Sequence, residues 1–425
     1  MRYLALPIAF VLLSLSCGPA SAQTPPARPA TLAELIATAD QRNPSIAAAR
    51  QAIAAAEARV ALARSGRGPT VTASGTAATA GGGTAVTTPS FSSSTSISAS
   101  YVLYDNGQIG HAVRQAEANL KAARLALEAA RQDVANGVAQ AYVNLLRAER
   151  TVGLREQVMA QSRESLRLAE GQFRAGVVPR SDVVRAQAGL AAAEGELLVA
   201  RNAVDQAKAS LNVVLGQAPP SPVAVAPAPA VPALTIAPAA LPALTEERPE
   251  VRRALAEIEA AEAALALARA SGGLRMTLDG RGTHAFAPST QTTYSIGTTI
   301  SFPLSDAGRA DAQVAEATAT LASVRERIQT TRLTLQQQGF VAYLAILDAR
   351  ARIASARAGL AFAQESLRLA QGRYAAGAGP FLEVVDAQTA LVAAEVTLAR
   401  AEFDELAGVL SLRYALGRSV VDGAI

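Results

Sequence analysis

A single pattern runs through this chain twice, and that duplication limits what it can fold into more than any other feature. Glu164-Ser165-Leu166-Arg167-Leu168-Ala169 returns 201 residues later as Glu365-Ser366-Leu367-Arg368-Leu369-Ala370. The same shift carries Phe173-x-x-Gly176 to Tyr374-x-x-Gly377, Pro179 to Pro380, Gln187 to Gln388 and Leu215-Gly216 to Leu416-Gly417. Upstream, Asp105-x-Gly107 returns as Asp306-x-Gly308. Further upstream the shift becomes 205, pairing Pro44 with Pro249 and Ala56-Glu57 with Ala261-Glu262. The change falls at Gly81-Gly82-Gly83 and the Thr/Ser-rich run after it, so one loop is longer in the first copy. Chance similarity among Ala-rich helices would not hold one register across Gly, Pro and Asp positions. The chain is therefore a repeat of one supersecondary unit.

The rest of the chain divides around the two copies. Residues 1–22 read as a secretory signal: Arg2 is the basic start, Leu4 to Leu15 the apolar core, and Ala20-Ser21-Ala22 the small-residue cleavage site. That core is shorter than the roughly 20 residues a membrane-spanning helix needs. Cys17, the single cysteine, leaves lipidation open as another processing route, although Ser14 stands where such signals usually carry Leu or Val. Repeat one is expected over 23–216 and repeat two over 244–425. Between them, 217–243 is crowded with Pro and Ala, which excludes a helix interior and predicts a semi-rigid crossover.

Composition excludes several classes. Half the residues are hydrophobic, which does not fit a disordered chain. Two His and one Cys leave little for a structural zinc site. Aromatics make up 4%, and 39 basic residues stand against 35 acidic ones, so neither stacking platforms nor a strong basic field point to nucleic acid. No G-x-x-x-x-G-K and no HExxH occurs, and His111, early in a helix, has no catalytic relation to His284, placed in a loop. The expectation is a protein that is not an enzyme and needs no cofactor or metal.

Each copy reads helix, strand, strand, long helix, turn, helix. Thr31 to Arg64 is helical, with Pro44 as a kink or a break. Strands are expected at about 69–80 and 92–103, and again at about 273–284 and 291–302. Leu274, Met276 and Leu278 alternate with Arg275, Thr277, Asp279 and Arg281, which puts apolar and polar side chains on opposite faces. Tyr101, Tyr104, Tyr294 and Phe302 fit either a lipid–water boundary or ordinary strand packing. Asp105 and Asp306 then stand at helix starts, where a carboxylate accepts orphan backbone N–H bonds. In the helices that follow, Leu120, Leu127, Val134, Ala141 and Ala148 fall seven apart, and Leu321, Ile328, Leu335, Ala342 and Ala349 repeat them. Such a row is a coiled-coil seam. A helix from about residue 106 to 175 spans roughly 105 Å, so it can lie beside two shorter helices stacked end to end. Four amphipathic strands cannot close a barrel with a useful lumen, and open edges are forbidden in a membrane. Several subunits must therefore complete the sheet, as in an outer membrane barrel.

These features together resemble the TolC family of outer membrane efflux and secretion channels. The resemblance rests on the two-copy layout, the Phe173-x-x-Gly176 and Tyr374-x-x-Gly377 turns, the Asp105-x-Gly107 and Asp306-x-Gly308 joints, and the closing Leu412-Arg413-Tyr414-Ala415-Leu416-Gly417. It implies an α+β homotrimer whose shared 12-stranded transmembrane β-barrel continues as a long periplasmic α-helical barrel. It implies contact with outer membrane lipid, a periplasmic adaptor, and an inner membrane pump of the resistance-nodulation-division or ATP-binding cassette type. It places Glu383 and Asp386 at an acidic constriction ring; three residues apart, they share a helix face. It assigns Asp182 and Tyr374 to contacts holding the closed tip, and Gly176, Pro179, Gly377 and Pro380 to the tip turns. Gly176 and Gly377 serve either backbone geometry or the approach of an adaptor. The chain departs from the family at Gly379, where the best described gate has an arginine, so Arg180 or Arg373 would have to replace that latch. A second reading remains: a periplasmic coiled-coil adaptor, or a structural envelope protein without a pore.

Overall fold

A computed structural model describes residues 28–80, 90–228, 231, 234 and 236–419. The signal segment, Cys17 and the Gly81-Gly82-Gly83 loop lie outside the described residues. The order of elements is α1 (Leu32–Arg42), α2 (Pro44–Ser65), β1 (Thr70–Ala80), β2 (Ser90–Tyr104), α3 (Gln108–Arg174), α4 (Arg180–Val214), α5 (Leu241–Thr245), α6 (Pro249–Ala270), β3 (Arg275–Ala287), β4 (Gln291–Ser301), α7 (Arg309–Ala375) and α8 (Phe381–Ala415). The repeated sequence is thus a repeated set of elements. Helices α3 and α7 both have 67 residues, α4 and α8 both 35, and α2 and α6 both 22. The two long helices each extend about 100 Å at about 1.5 Å per residue.

Local chemistry explains the boundaries. Thr31 and Glu34 form a reciprocal capping box at the start of α1. Pro44 breaks the helix rather than kinking it. Asn43 adopts an extended conformation, its side chain accepts from Ser45 N at 2.8 Å, and its amide donates to Val214 O at 2.7 Å. The break is therefore tied to the end of α4. The counterpart of α1 in the second copy carries Pro238 and Pro242, and it forms only a 3₁₀ turn (Pro238–Ala240) and the five-residue α5. The crossover also pairs with the segment just before α1: Ala30 bridges Val225 in parallel, and the buried Tyr142 donates its hydroxyl to Ala226 O at 2.9 Å.

The four strands form one antiparallel sheet in the order β1-β2-β3-β4. Strand β3 runs three residues past the expected end, so His284 is a strand residue and not a loop residue; Phe286 carries the apolar alternation onward and stacks edge-on against His284 at 4.7 Å. One face presents Ile97, Leu278, Ile296 and Ile300, all exposed. The other presents Ser, Thr and three charged residues. Strands β1 and β4 are the free edges of the protomer.

The helical core is made of seams rather than a globular interior. The second-copy row of Leu321, Ile328, Leu335, Ala342 and Ala349 is buried throughout, and it continues through Ala356, Ala363 and Ala370. The first-copy row differs: only Ala141 is buried, while Leu120, Leu127, Val134 and Ala148 are half-buried. Helix α3 packs against α1, α2, α4, α6 and α8, so its burial is spread around its circumference. Helix α7 packs on fewer sides.

Candidate functional site

The two helical hairpins turn at the end of the molecule farthest from the sheet. Both turns are built alike. Gly176 (φ 74°) donates to Phe173 O at 2.9 Å and Val177 donates to Gln172 O at 2.9 Å; Gly377 (φ 68°) and Ala378 repeat the pattern to Tyr374 O and Arg373 O. This is the Schellman arrangement, which needs a left-handed residue after the helix and so favours Gly. Pro179 and Pro380 follow as extended N-cap residues, and α4 and α8 start immediately after them. Their fixed φ and missing donor suit that position.

The hairpins are joined by an apolar cluster that includes Ala169, Ala186, Leu367, Tyr374, Phe381 and Val384. Tyr374 is buried, with its ring 5.2 Å from that of Phe381. Its hydroxyl has no hydrogen-bond partner among the described residues, so no bond joins it to Asp182 within the protomer. Burial first, and then the charge of nearby Asp182, push the phenol above its ordinary pKa. Tyr374 therefore stays neutral and keeps a free donor beside Asp182.

Glu383 lies in the first turn of α8, where a carboxylate is favoured by the helix dipole. Its Oε2 forms an ion pair with Arg373 Nη1 at 3.1 Å across the turn. The room for this pair comes from Gly379: a Cβ there would sit 3.2 Å from Arg373 Cβ and 3.4 Å from Glu383 Oε2. Arg373, rather than Arg180, is thus the arginine paired at this turn. Asp386 is exposed on the same face. Gln388 Nε2 donates to Ser165 Oγ at 2.9 Å and ties α8 to α3, a bridge whose only trace in the sequence is the repetition of Gln187.

At the opposite ends of the long helices, the two joints are also alike. Asp105 accepts from Gly107 N at 3.0 Å and Ile109 N at 2.6 Å; Asp306 accepts from Gly308 N at 3.1 Å and Ala310 N at 2.8 Å. Each carboxylate satisfies two orphan donors at a helix start. Gly107 (φ 83°) and Gly308 (φ 80°) let the chain turn from strand into helix there. Among the described residues no cluster of His, Cys, Asp and Glu could hold a metal ion, and no helix is long and apolar enough to cross a membrane.

The geometry agrees with known proteins over nearly the whole chain. The chain is 27% identical to the outer membrane efflux protein BepC of Brucella suis over 92% of its length and 86% of that protein. Its fold matches a crystal structure of CusC with a TM-score of 0.80, at 22% identity, over 91% of this chain and 92% of the other. It matches the open-state channel MtrE of Neisseria gonorrhoeae with a TM-score of 0.76, at 21% identity, over 92% of this chain and 89% of the other. The sequence pattern of the outer membrane efflux protein family covers residues 35–217 and 240–418, one match for each copy. The chain belongs to the outer membrane efflux protein family.

Proposed function

We propose that this protein is the outer membrane exit duct of a tripartite efflux pump or a type I secretion system. Three copies surround one axis, and substrate passes through the periplasmic helical tube and the outer membrane barrel without any chemistry on the duct itself. The energy comes from an inner membrane pump of the resistance-nodulation-division or ATP-binding cassette type, coupled through a periplasmic adaptor. The supporting observation is the joining of two parts in each copy: strands of 11 to 15 residues with an exposed apolar face, and a 67-residue helix. Strands of that length span a bilayer, and a helix of that length reaches far beyond one. A periplasmic adaptor without a pore would have no use for a lipid-compatible sheet.

On this reading Glu383 and Asp386 from three subunits line the narrowest part of the closed tip, and Asp182 and Tyr374 help hold it shut. The Arg373–Glu383 pair takes the place of the latch that Gly379 removes. The test is twofold. Outer membranes should yield trimers that dissociate on heating, and purified trimers should conduct in planar bilayers. A monomer released in the soluble periplasmic fraction would defeat the reading. Crosslinking in the native envelope then identifies the adaptor and pump.

A further inference from the structure

Among the described strand residues only three are charged: Arg275, Asp279 and Arg281. All lie at alternate positions of β3, so they share one face. Their cross-strand neighbours are small or hydroxylated. Asp279 stands opposite Ser100 and Gly297, Arg281 opposite Ser98 and Ser295, and Arg275 opposite Ser301. The reverse face is the apolar one, where Leu278, Ile296 and Ile300 are exposed. Placing that face against lipid turns the three charges into the lumen, because charge on the lipid face is costly.

The three charges do not cancel. Asp279 is held by hydroxyls: its carboxylate accepts from Ser100 Oγ at 2.7 Å, Thr277 Oγ1 at 2.8 Å and Thr299 Oγ1 at 3.2 Å. Among the described residues neither Arg275 nor Arg281 forms a salt bridge, and both are exposed. A guanidinium stays protonated at every pH a cell meets. Two arginines against one aspartate leave each protomer one positive charge in excess, and a trimer three. Low-dielectric barrel walls focus such a field along the axis.

We infer that the barrel lumen is a second charge filter, opposite in sign to the acidic tip, that favours anions and the carboxylate, phosphate or sulfonate groups of cargo. Arg275 and Arg281 are its determinants, and Asp279 moderates them. The inference rests on the exit-duct reading, with three copies closing the barrel. It gives the duct two zones: cations are favoured at the periplasmic entrance and anions near the exit. The field is screened over about 8 Å at physiological ionic strength and about 3 Å at 1 M salt, so the effect belongs to low and moderate salt.

The experiment is a reversal-potential measurement on purified trimers in planar bilayers under a potassium chloride gradient. The background carries Glu383→Gln and Asp386→Asn, so that the tip contributes no acidic charge. In that background chloride should be preferred over potassium at low salt. Adding Arg275→Ser and Arg281→Ser should abolish the preference, Arg275→Lys with Arg281→Lys should keep it, and Asp279→Asn should strengthen it. All differences should shrink at about 1 M salt. Potassium preference in the background would overturn the inference, as would a chloride preference indifferent to the arginines and to Asp279 while conductance persists. Absence of any conductance in the unaltered trimer would overturn the exit-duct reading, and this inference with it.

Discussion

Arg373 and Glu383 meet across the Gly377 turn, with both side chains partly exposed, so their pair contributes at most about 1 kcal/mol to stability. Its larger effect is on charge at the aperture. With the guanidinium beside it, Glu383 presents a partly neutralised carboxylate, and Asp386 supplies most of the negative field. Replacing Arg373 with Ala should therefore raise cation selectivity and sensitivity to divalent block in bilayers. Replacing Glu383 and Asp386 together with Ala should lower both. Unchanged selectivity in either variant would remove these acids from the conducting path. Tyr374 carries a pH prediction. Its folded pKa is raised, mainly by burial, so the stability held by the neutral phenol is complete below the unfolded value of about 10 and is lost as pH climbs through the folded value. A spectroscopic titration of the unaltered protein against Tyr374→Phe should show one tyrosine ionising late, with the tip loosening only at strongly alkaline pH. The positions of these residues could be read from the repeat and the family resemblance. The Arg373–Glu383 contact could not, because it depends on which way two side chains lean over a glycine. Nor could the unsatisfied Tyr374 hydroxyl, which depends on packing between four helices.

At the scale of elements the two copies test each other. Asn106 (φ 54°) and Ala307 (φ 53°) occupy equivalent left-handed positions just before the long helices. A left-handed conformation costs an ordinary L-residue about 1–2 kcal/mol, and Asn tolerates it better. Ala307→Asn should therefore stabilise each protomer by about 0.5–1 kcal/mol, without the added unfolded-state freedom that Gly would bring. A rise of a few degrees in the heat-dissociation midpoint of the trimer would bear this out, and a fall would show that the joint is held by tertiary contacts instead. Both long helices and both hairpin turns were legible in the sequence, because heptad rows, Gly turns and Asp starts are local signals. Two features were not. Asn43 ends α1 by bonding to Val214 across the fold, and a sequence window around Pro44 cannot contain that partner. Helix α3 buries several faces because five other helices surround it, so the heptad row that marks the seam in α7 is only one of its contact lines.

The whole molecule is built to be incomplete. Its sheet has unpaired edges on β1 and β4, and its apolar face carries Ile296 at 85% exposure and Tyr294 at 84%. Neither condition is tolerable alone: free edges invite uncontrolled pairing, and exposed isoleucines in water favour aggregation. Pairing β4 of one copy with β1 of the next removes both edges and turns the apolar face toward lipid. Ile296 lies at the middle of β4, near the centre of the bilayer on this arrangement. An arginine there costs about 2–4 kcal/mol in each of three subunits. Thr293, three residues earlier, points to the opposite face, where water fills the lumen and Thr283 is its cross-strand neighbour. Ile296→Arg should abolish heat-dissociable trimers in outer membranes, while Thr293→Arg should leave their yield close to that of the unaltered protein. Equal yields would mean that the sheet does not meet lipid with the Ile296 face. The reverse order, with Thr293→Arg the damaging change, would invert the barrel and move Arg275, Asp279 and Arg281 out of the lumen.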